Sequence, residues 1–147
     1  DNQIIFHSPK VEMGQGSFTG LVQIAADELE VDMEQINIVH AASSGNLDPF
    51  ATGGSTSIAG LWQPLRELSA TMREMLKNEA ALQLGVSAAS LAVAKGVISG
   101  GGKSITYGEV VKNVTDWKVP KTPPLKEVKD YKFVGQPIQR VDLKDKV

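Results

Sequence analysis

The sequence predicts an α+β fold, an α/β sandwich in which a small mixed sheet carries helices packed on one face. Three observations carry that prediction. Apolar residues recur at helical spacing in two separate stretches. Short β-branched runs stand between and around them. Glycine and proline clusters separate the pieces. The order read from the chain is strand, helix, strand, helix, hairpin, helix, and then an extended tail.

Residues 3–6 and 10–12 read as short extended pieces around Pro9. From Ser17 the period changes: Phe18, Leu21, Val22, Ala25 and Leu29 line one helical face, with Ser17 as N-cap and an end near Glu30. Ile36–Ala41 is β-branched and reads as a strand. Residues 42–54, with Gly45, Asn46, Asp48, Pro49 and Gly53-Gly54, read as a loop. A long second helix begins between Ser55 and Ser57, carries Ile58, Leu61, Leu65, Leu68, Met72, Met75, Leu76 and Leu82, and stops at Gly85. Pro64 lies inside it and is expected to kink it or split off a leading turn. Leu91–Ser99 reads as one strand, Gly100–Gly102 as a turn and Lys103–Thr106 as the partner strand. Tyr107–Val114 reads as a helix with Val110, Val111 and Val114 on one side. From Trp117 onward prolines and lysines crowd an extended connector, which divides the chain into residues 1–116 and 117–147.

Bulk properties exclude several classes. The net charge is −2, so no overall basic field points to nucleic acid. Apolar runs fall well short of a bilayer span. With no cysteine, the chain offers no disulfide, thiolate nucleophile or iron–sulfur ligand. It opens without an initiator methionine into a strand-like run and closes without a final element, so a piece of a longer protein is expected. Any export signal would precede residue 1, which leaves periplasm and cytoplasm both open.

Two glycine-rich polar loops, each feeding a helix, carry the functional signal: Glu12-Met13-Gly14-Gln15-Gly16-Ser17 and Thr52-Gly53-Gly54-Ser55-Thr56-Ser57. Helix N-termini leave backbone N–H groups unpaired and attract anions, and glycine lets the backbone approach a ligand. Each loop alone reads more readily as a turn with an N-cap than as a ligand site. Other polar residues read more plainly. His7 and His40 lack a metal-ligand constellation and read as structural or surface residues. Asp27, Glu28 and Glu30 read as a solvated helix face, and the lysines of 118–132 as a solvated connector. Arg66 and Arg73 share a helix face, where an interface or solvent role is expected over phosphate contact. Trp62 and Met72 read as core. Glu12 lies near the first loop without a visible partner.

The first loop, as Lys10-Val11-Glu12-Met13-Gly14-Gln15-Gly16 with Thr19, resembles the cofactor loop of the molybdenum hydroxylases, the xanthine dehydrogenase and aldehyde oxidase family. The second is similar to that family's Thr-small-small-Ser-x-Ser segment. Later residues narrow the likeness to the isoquinoline 1-oxidoreductase branch, in the N-terminal part of its molybdopterin-binding large subunit. These are Gly96-Val97-Ile98-Ser99, Ile105-Thr106-Tyr107-Gly108-Glu109-Val110-Val111, Tyr131-Lys132-Phe133-Val134-Gly135 and Arg140-Val141-Asp142.

The resemblance implies a molybdenum-cofactor-binding-like domain over 1–116 and a lead into a hammerhead-like domain over 117–147. It implies molybdopterin, in bacteria extended by a cytosine nucleotide, bound by Gly14, Gln15, Gly16, Thr19, Thr52, Gly54, Ser55, Thr56 and Ser57, with Gln15 foremost. It implies hydroxylation of an N-heterocycle or aldehyde carbon with water-derived oxygen. The expected partners are the remaining domains of the large subunit and an iron–sulfur electron-transfer subunit. The family's base glutamate and iron–sulfur ligands have no counterpart here, so this segment is expected to supply part of a cofactor cradle and not to turn over substrate or hold cofactor tightly alone. The competing expectation is a non-catalytic structural or assembly module. A nucleotide-binding role for Ser55–Ser57 is weaker, since no Gly-Lys-Ser/Thr loop is present.

Overall fold

Helix α1 (Ser17–Leu29) is buried along its length because its apolar residues are not confined to one stripe. Phe18, Leu21, Val22, Ala25 and Leu29 are buried, and so are Ile24 and Ala26. The computed structural model describes residues 2–41, 52–144 and 146. Most of the predicted 42–54 loop therefore lies outside the described residues.

Strands β1 (Ile4–Ser8) and β2 (Ile36–His40) pair in parallel, from Ile4 opposite Ile36 to Ser8 opposite His40. Parallel neighbours need a crossover, and α1 supplies it. Helix α2 (Ser57–Leu84) packs along α1 and ends on Gly85 at φ 67, as the glycine stop predicts. At the N-terminal ends the two helices meet at Gly20. A Cβ there would lie 2.8 Å from Ile58 Cδ1, so the bare backbone admits the close approach.

The class follows the sequence, with differences of detail. Among the described residues the strands form not one mixed sheet but two: the parallel pair, and a separate antiparallel meander of β3 (Ala92–Ala94), β4 (Val97–Gly100) and β5 (Lys103–Thr106). The single strand expected over Leu91–Ser99 folds back on itself at Lys95-Gly96, whose φ values of 52 and 70 make a tight left-handed turn. Residues 10–12 lie outside the strands. Pro64 neither ends nor splits α2, which is assigned as one helix through it. Helix α3 (Tyr107–Asn113) buries Val110 but leaves Val111 54% exposed, so those two valines do not share its inner side. Buried Tyr107 donates its hydroxyl proton to Leu29 O at 2.7 Å, which ties α3 to the end of α1.

The largest departure concerns charge. Asp27 and Glu28, expected in solvent, are each 1% exposed. Asp27 accepts from the backbone N–H groups of Lys132, Phe133 and Val134 at 2.8–3.2 Å. Glu28 accepts from Arg66 Nε at 2.9 Å, Arg73 Nη1 at 3.4 Å and Lys126 N at 3.2 Å. The two arginines also donate to the carbonyls of Lys126 and Pro124. Burying a carboxylate is costly unless its charge is met: Glu28 is paired with two arginines, and Asp27 is held by three backbone N–H groups. Arg66 lies 5.2 Å from the Trp62 ring centre and 5.5 Å from that of Tyr131. Trp62 is half-buried and packs against the core beside an arginine, as a core reading expects, whereas Met72 is 39% exposed and is not the core residue expected.

The tail from Trp117 is extended but docked. Thr19, Gln23, Asp27 and Glu30 recur at i, i+4, i+8 and i+11 on α1 and its C-cap. They bond respectively to Val141 N, to the Phe133 and Gln136 carbonyls, to the 132–134 amides, and to the Lys126 and Lys132 ammonium groups. Lys126, 11% exposed in its side chain, is accordingly not a solvated lysine.

Candidate functional site

The two glycine loops lie side by side. Val11 N donates to Thr52 Oγ1 at 2.8 Å, and Gln15 Nε2 donates to Val11 O at 2.7 Å, so one residue of the first loop is held from both sides. Gly14, at φ 100, and Gly16, at φ 78, have backbone that L side chains rarely adopt, and a Cβ on either would meet nothing within 4 Å. The space over the loop is open.

Within the first loop the N-terminus of α1 is already filled. The N-cap is Gly16 rather than Ser17, and no side chain of the cap residue itself closes the helix. Glu12 does so from outside. Its Oε1 accepts from Gly14 N at 2.8 Å and Gly16 N at 3.0 Å, and its Oε2 from Phe18 N at 3.0 Å. Ser17, buried, places its hydroxyl 3.5 Å from Oε2. Desolvation alone would raise the Glu12 pKa. The three N–H donors and the Arg140 charge outweigh it, and the net displacement is downward from the ordinary carboxylate value. The anion-binding capacity of this helix end is taken up by the chain's own carboxylate.

Gln15 is exposed and folds over its loop, its Oε1 accepting from Met13 N at 2.5 Å. A side-chain amide has a second N–H and a second lone pair, so one donor and one acceptor stay available. Thr19 faces inward; it is 7% exposed, and its Oγ1 accepts from Val141 N at 3.2 Å.

The second loop differs. Gly54 and Ser55 are both left-handed, at φ 61 and 57. Thr56 is the N-cap of α2, but its hydroxyl donates back to Gly53 O at 3.0 Å, and its side chain makes no cap hydrogen bond to the helix. Gly53, Gly54, Ser55 and Thr56 are exposed and Ser57 is half-buried. Here the first N–H groups of a 28-residue helix end beside three hydroxyls and two bare glycines.

Sequence reasoning gives Glu12 no partner and Arg140 no role. An acidic residue just ahead of a helix is a recognisable dipole partner, so Glu12 carries a usable signal. Arg140 carries none, because its partner stands 128 residues away. His7 and His40 are exposed on neighbouring strands, with the His40 ring 4.8 Å from that of Phe18. Among the described residues no group of three or more His, Cys, Asp or Glu could hold a metal ion, and no helix is long and apolar enough to cross a membrane. A cavity of about 390 Å³ lies between β2 and the 141–146 segment and reaches Glu12 and Phe18. Another of about 520 Å³, under the connector, is lined by none of the loop residues.

These loops and this fold match a known family. The family model described as molybdopterin cofactor-binding domain covers residues 1–145. The chain belongs to that family. It is 32% identical over 148 residues to the B subunit of nicotinate dehydrogenase from Pseudomonas putida, an alignment that takes in 99% of this chain and 12% of the relative. It is 34% identical over 125 residues to the beta subunit of isoquinoline 1-oxidoreductase from Brevundimonas diminuta, covering 79% of this chain and 16% of the relative. Among solved structures, quinoline 2-oxidoreductase from Pseudomonas putida 86 superposes with a TM-score of 0.57 at 27% identity, over 74% of this chain and 14% of that one. The chain is therefore a molybdopterin cofactor-binding domain, homologous to parts of the large subunits of molybdenum hydroxylases, which are oxidoreductases. It spans well under a fifth of the relatives it matches.

The donor set of the loops fits such a cofactor. A pterin edge needs paired amide-type donors and acceptors, which Gln15 keeps free, and a phosphate needs N–H and hydroxyl donors, which the start of α2 presents.

Proposed function

We propose that this molybdopterin cofactor-binding domain forms one wall of the cofactor cradle in a molybdenum hydroxylase large subunit. The observation that supports it most is the pairing of the two loops through Val11 and Thr52, with Gln15 bonded to the same Val11 and Thr52 a few residues ahead of the start of α2. Gln15 meets the amide edge of the pterin, with Gly14 and Gly16 keeping side chains out of its way. Gly54, Ser55, Thr56 and Ser57 receive the phosphate, and a cytosine dinucleotide form of the cofactor would place a pyrophosphate there. Thr52 and Thr19, the weaker candidates for cofactor contact, hold backbone in place through Val11 and Val141.

When bound, the molybdenum centre supplies the two-electron oxidation that puts water-derived oxygen on carbon. This chain's residues orient the group and donate hydrogen bonds to its phosphate. The substrate class in this reading is a small N-heterocycle or an aldehyde. Electrons leave to an iron–sulfur subunit, and residues 117–147 lead to the next domain of the same large subunit.

Gln15→Ala in the intact large subunit is expected to lower molybdenum and pterin content while leaving the circular dichroism spectrum unchanged. Equal metal occupancy in variant and parent, by elemental analysis, counts against the reading.

A further inference from the structure

Two of the residues in the first loop are left-handed glycines, and glycine has little conformational preference of its own. Something outside the loop must hold its shape. Glu12 gathers three of its N–H groups, but a glutamate arm is free to swing unless it is itself tethered. The tether is Arg140.

Its guanidinium is shared between two places. Nε and Nη2 donate to the two oxygens of Asp142 at 3.0 and 2.8 Å, a fork-on-fork pair. On the other side Nη1 donates to Gly14 O at 2.8 Å and Nη2 to Glu12 Oε1 at 3.2 Å. Asp142 is steadied by Lys146 Nζ at 2.5 Å, and Val141, between the two, donates its N–H to Thr19 in the first turn of α1. The segment 140–142 is thus attached to the loop carbonyl, to the loop's capping carboxylate and to the helix behind it. The Glu12 side chain is only 3% exposed beneath this contact.

We propose that Arg140 is a positioning residue for the cofactor loop: it locks Glu12 and the Gly14 carbonyl in the one arrangement that turns Gln15 outward over the loop surface. This rests on the reading of that loop as cofactor-binding. The lock also couples the loop to the tail, so that displacement of residues 140–142 reshapes Met13–Gly16. Lysine cannot replace the arginine, because one ammonium cannot bridge Asp142, Glu12 and the Gly14 carbonyl as a planar fork does.

The test uses the intact large subunit with Arg140→Gln, Arg140→Lys and, in parallel, Gln15→Ala. Amide hydrogen exchange and molybdenum content are read on each. In Arg140→Gln the amides of Gly14, Gly16 and Phe18 are expected to exchange roughly tenfold faster, the scale of one lost charge-assisted hydrogen bond. The amides of Lys132–Val134, held by Asp27, serve as the internal reference and stay unchanged. Molybdenum occupancy falls about threefold, less than the affinity losses usual for supporting residues because occupancy saturates. Arg140→Lys behaves as Arg140→Gln.

Unchanged loop exchange overturns the proposal, as does an equal acceleration at Lys132–Val134, which marks general destabilisation. Rescue by lysine reduces Arg140 to a bare charge and also overturns it. Faster loop exchange with parental occupancy, while Gln15→Ala loses metal, removes Arg140 from cofactor positioning and leaves the cofactor reading standing. Parental occupancy in every variant overturns the cofactor reading itself, and the positioning role with it.

Discussion

The two loops look alike on paper and differ in electrostatic state. Both are glycine-rich, both open a helix, and both bend through left-handed backbone. At the start of α1 the N–H groups of Gly14, Gly16 and Phe18 converge on Glu12, a carboxylate 3% exposed and countered by Arg140. At α2 the candidate cap, Thr56, turns its hydroxyl back to Gly53, and among the described residues no carboxylate is bonded to the helix start as Glu12 is at α1. A helix start is an anion site only if the chain has not filled it. On the proposed reading this divides the work: the loop before α1 is a shaped surface carrying Gln15, and the loop before α2 takes the negative charge of the ligand.

The contrast is sharpest at Glu12. Glu12→Ala is expected to destabilise the domain by about 1–2 kcal/mol, the scale of a lost N-terminal cap with its dipole interaction. Urea unfolding measures it. The effect depends on pH with a definite sign. Because the folded-state pKa of Glu12 is lowered, its contribution is complete above the ordinary carboxylate pKa and is lost as pH falls through the folded value. The gap between the parent and Glu12→Gln therefore narrows in acid. A gap of constant size from neutral pH down to pH values below the ordinary carboxylate range would break the comparison.

A smaller effect is expected where the loops touch. Thr52→Val removes the acceptor for Val11 N. The site is exposed, so water replaces the lost partner and the cost is about 0.5–1 kcal/mol. The variant also lets the two loops drift apart, visible as faster exchange at the Val11 amide. No change in either reading would mean that the loops are held together by the α1–α2 contact alone. The smallest effect is expected at Thr56→Ala, within about 0.5 kcal/mol, since that hydroxyl caps nothing. A loss near that of Glu12→Ala would erase the difference between the two helix starts.

Much of the scaffold is legible in the chain. The spacing of Phe18, Leu21, Val22, Ala25 and Leu29 names residues that α1 buries, and Gly85 marks the end of α2. The loops and their order point to the family that the comparisons show. The turn at Lys95-Gly96 is hidden, because its β-branched flanks suit one continuous strand as well as two. The polar stripe Thr19, Gln23, Asp27 and Glu30 is present in the spacing but reads as a solvent face. A periodic polar stripe shows only that those residues do not face the apolar core. Here a docked tail, and not water, covers them.

What the chain determined by itself is what acts over a few residues: helical burial through the recurrence of apolar side chains, and the bends through glycine's freedom at positive φ. Tertiary structure alone decided which polar groups stay free. Asp27 and Glu28 are buried because residues 126–134 and two arginines of α2 bring donors to them, and the start of α1 is closed because Arg140 steadies Glu12. Hydrogen bonds and ion pairs of this kind act over a few ångströms, and the partners that meet at that distance are 38 to 128 residues apart along the chain.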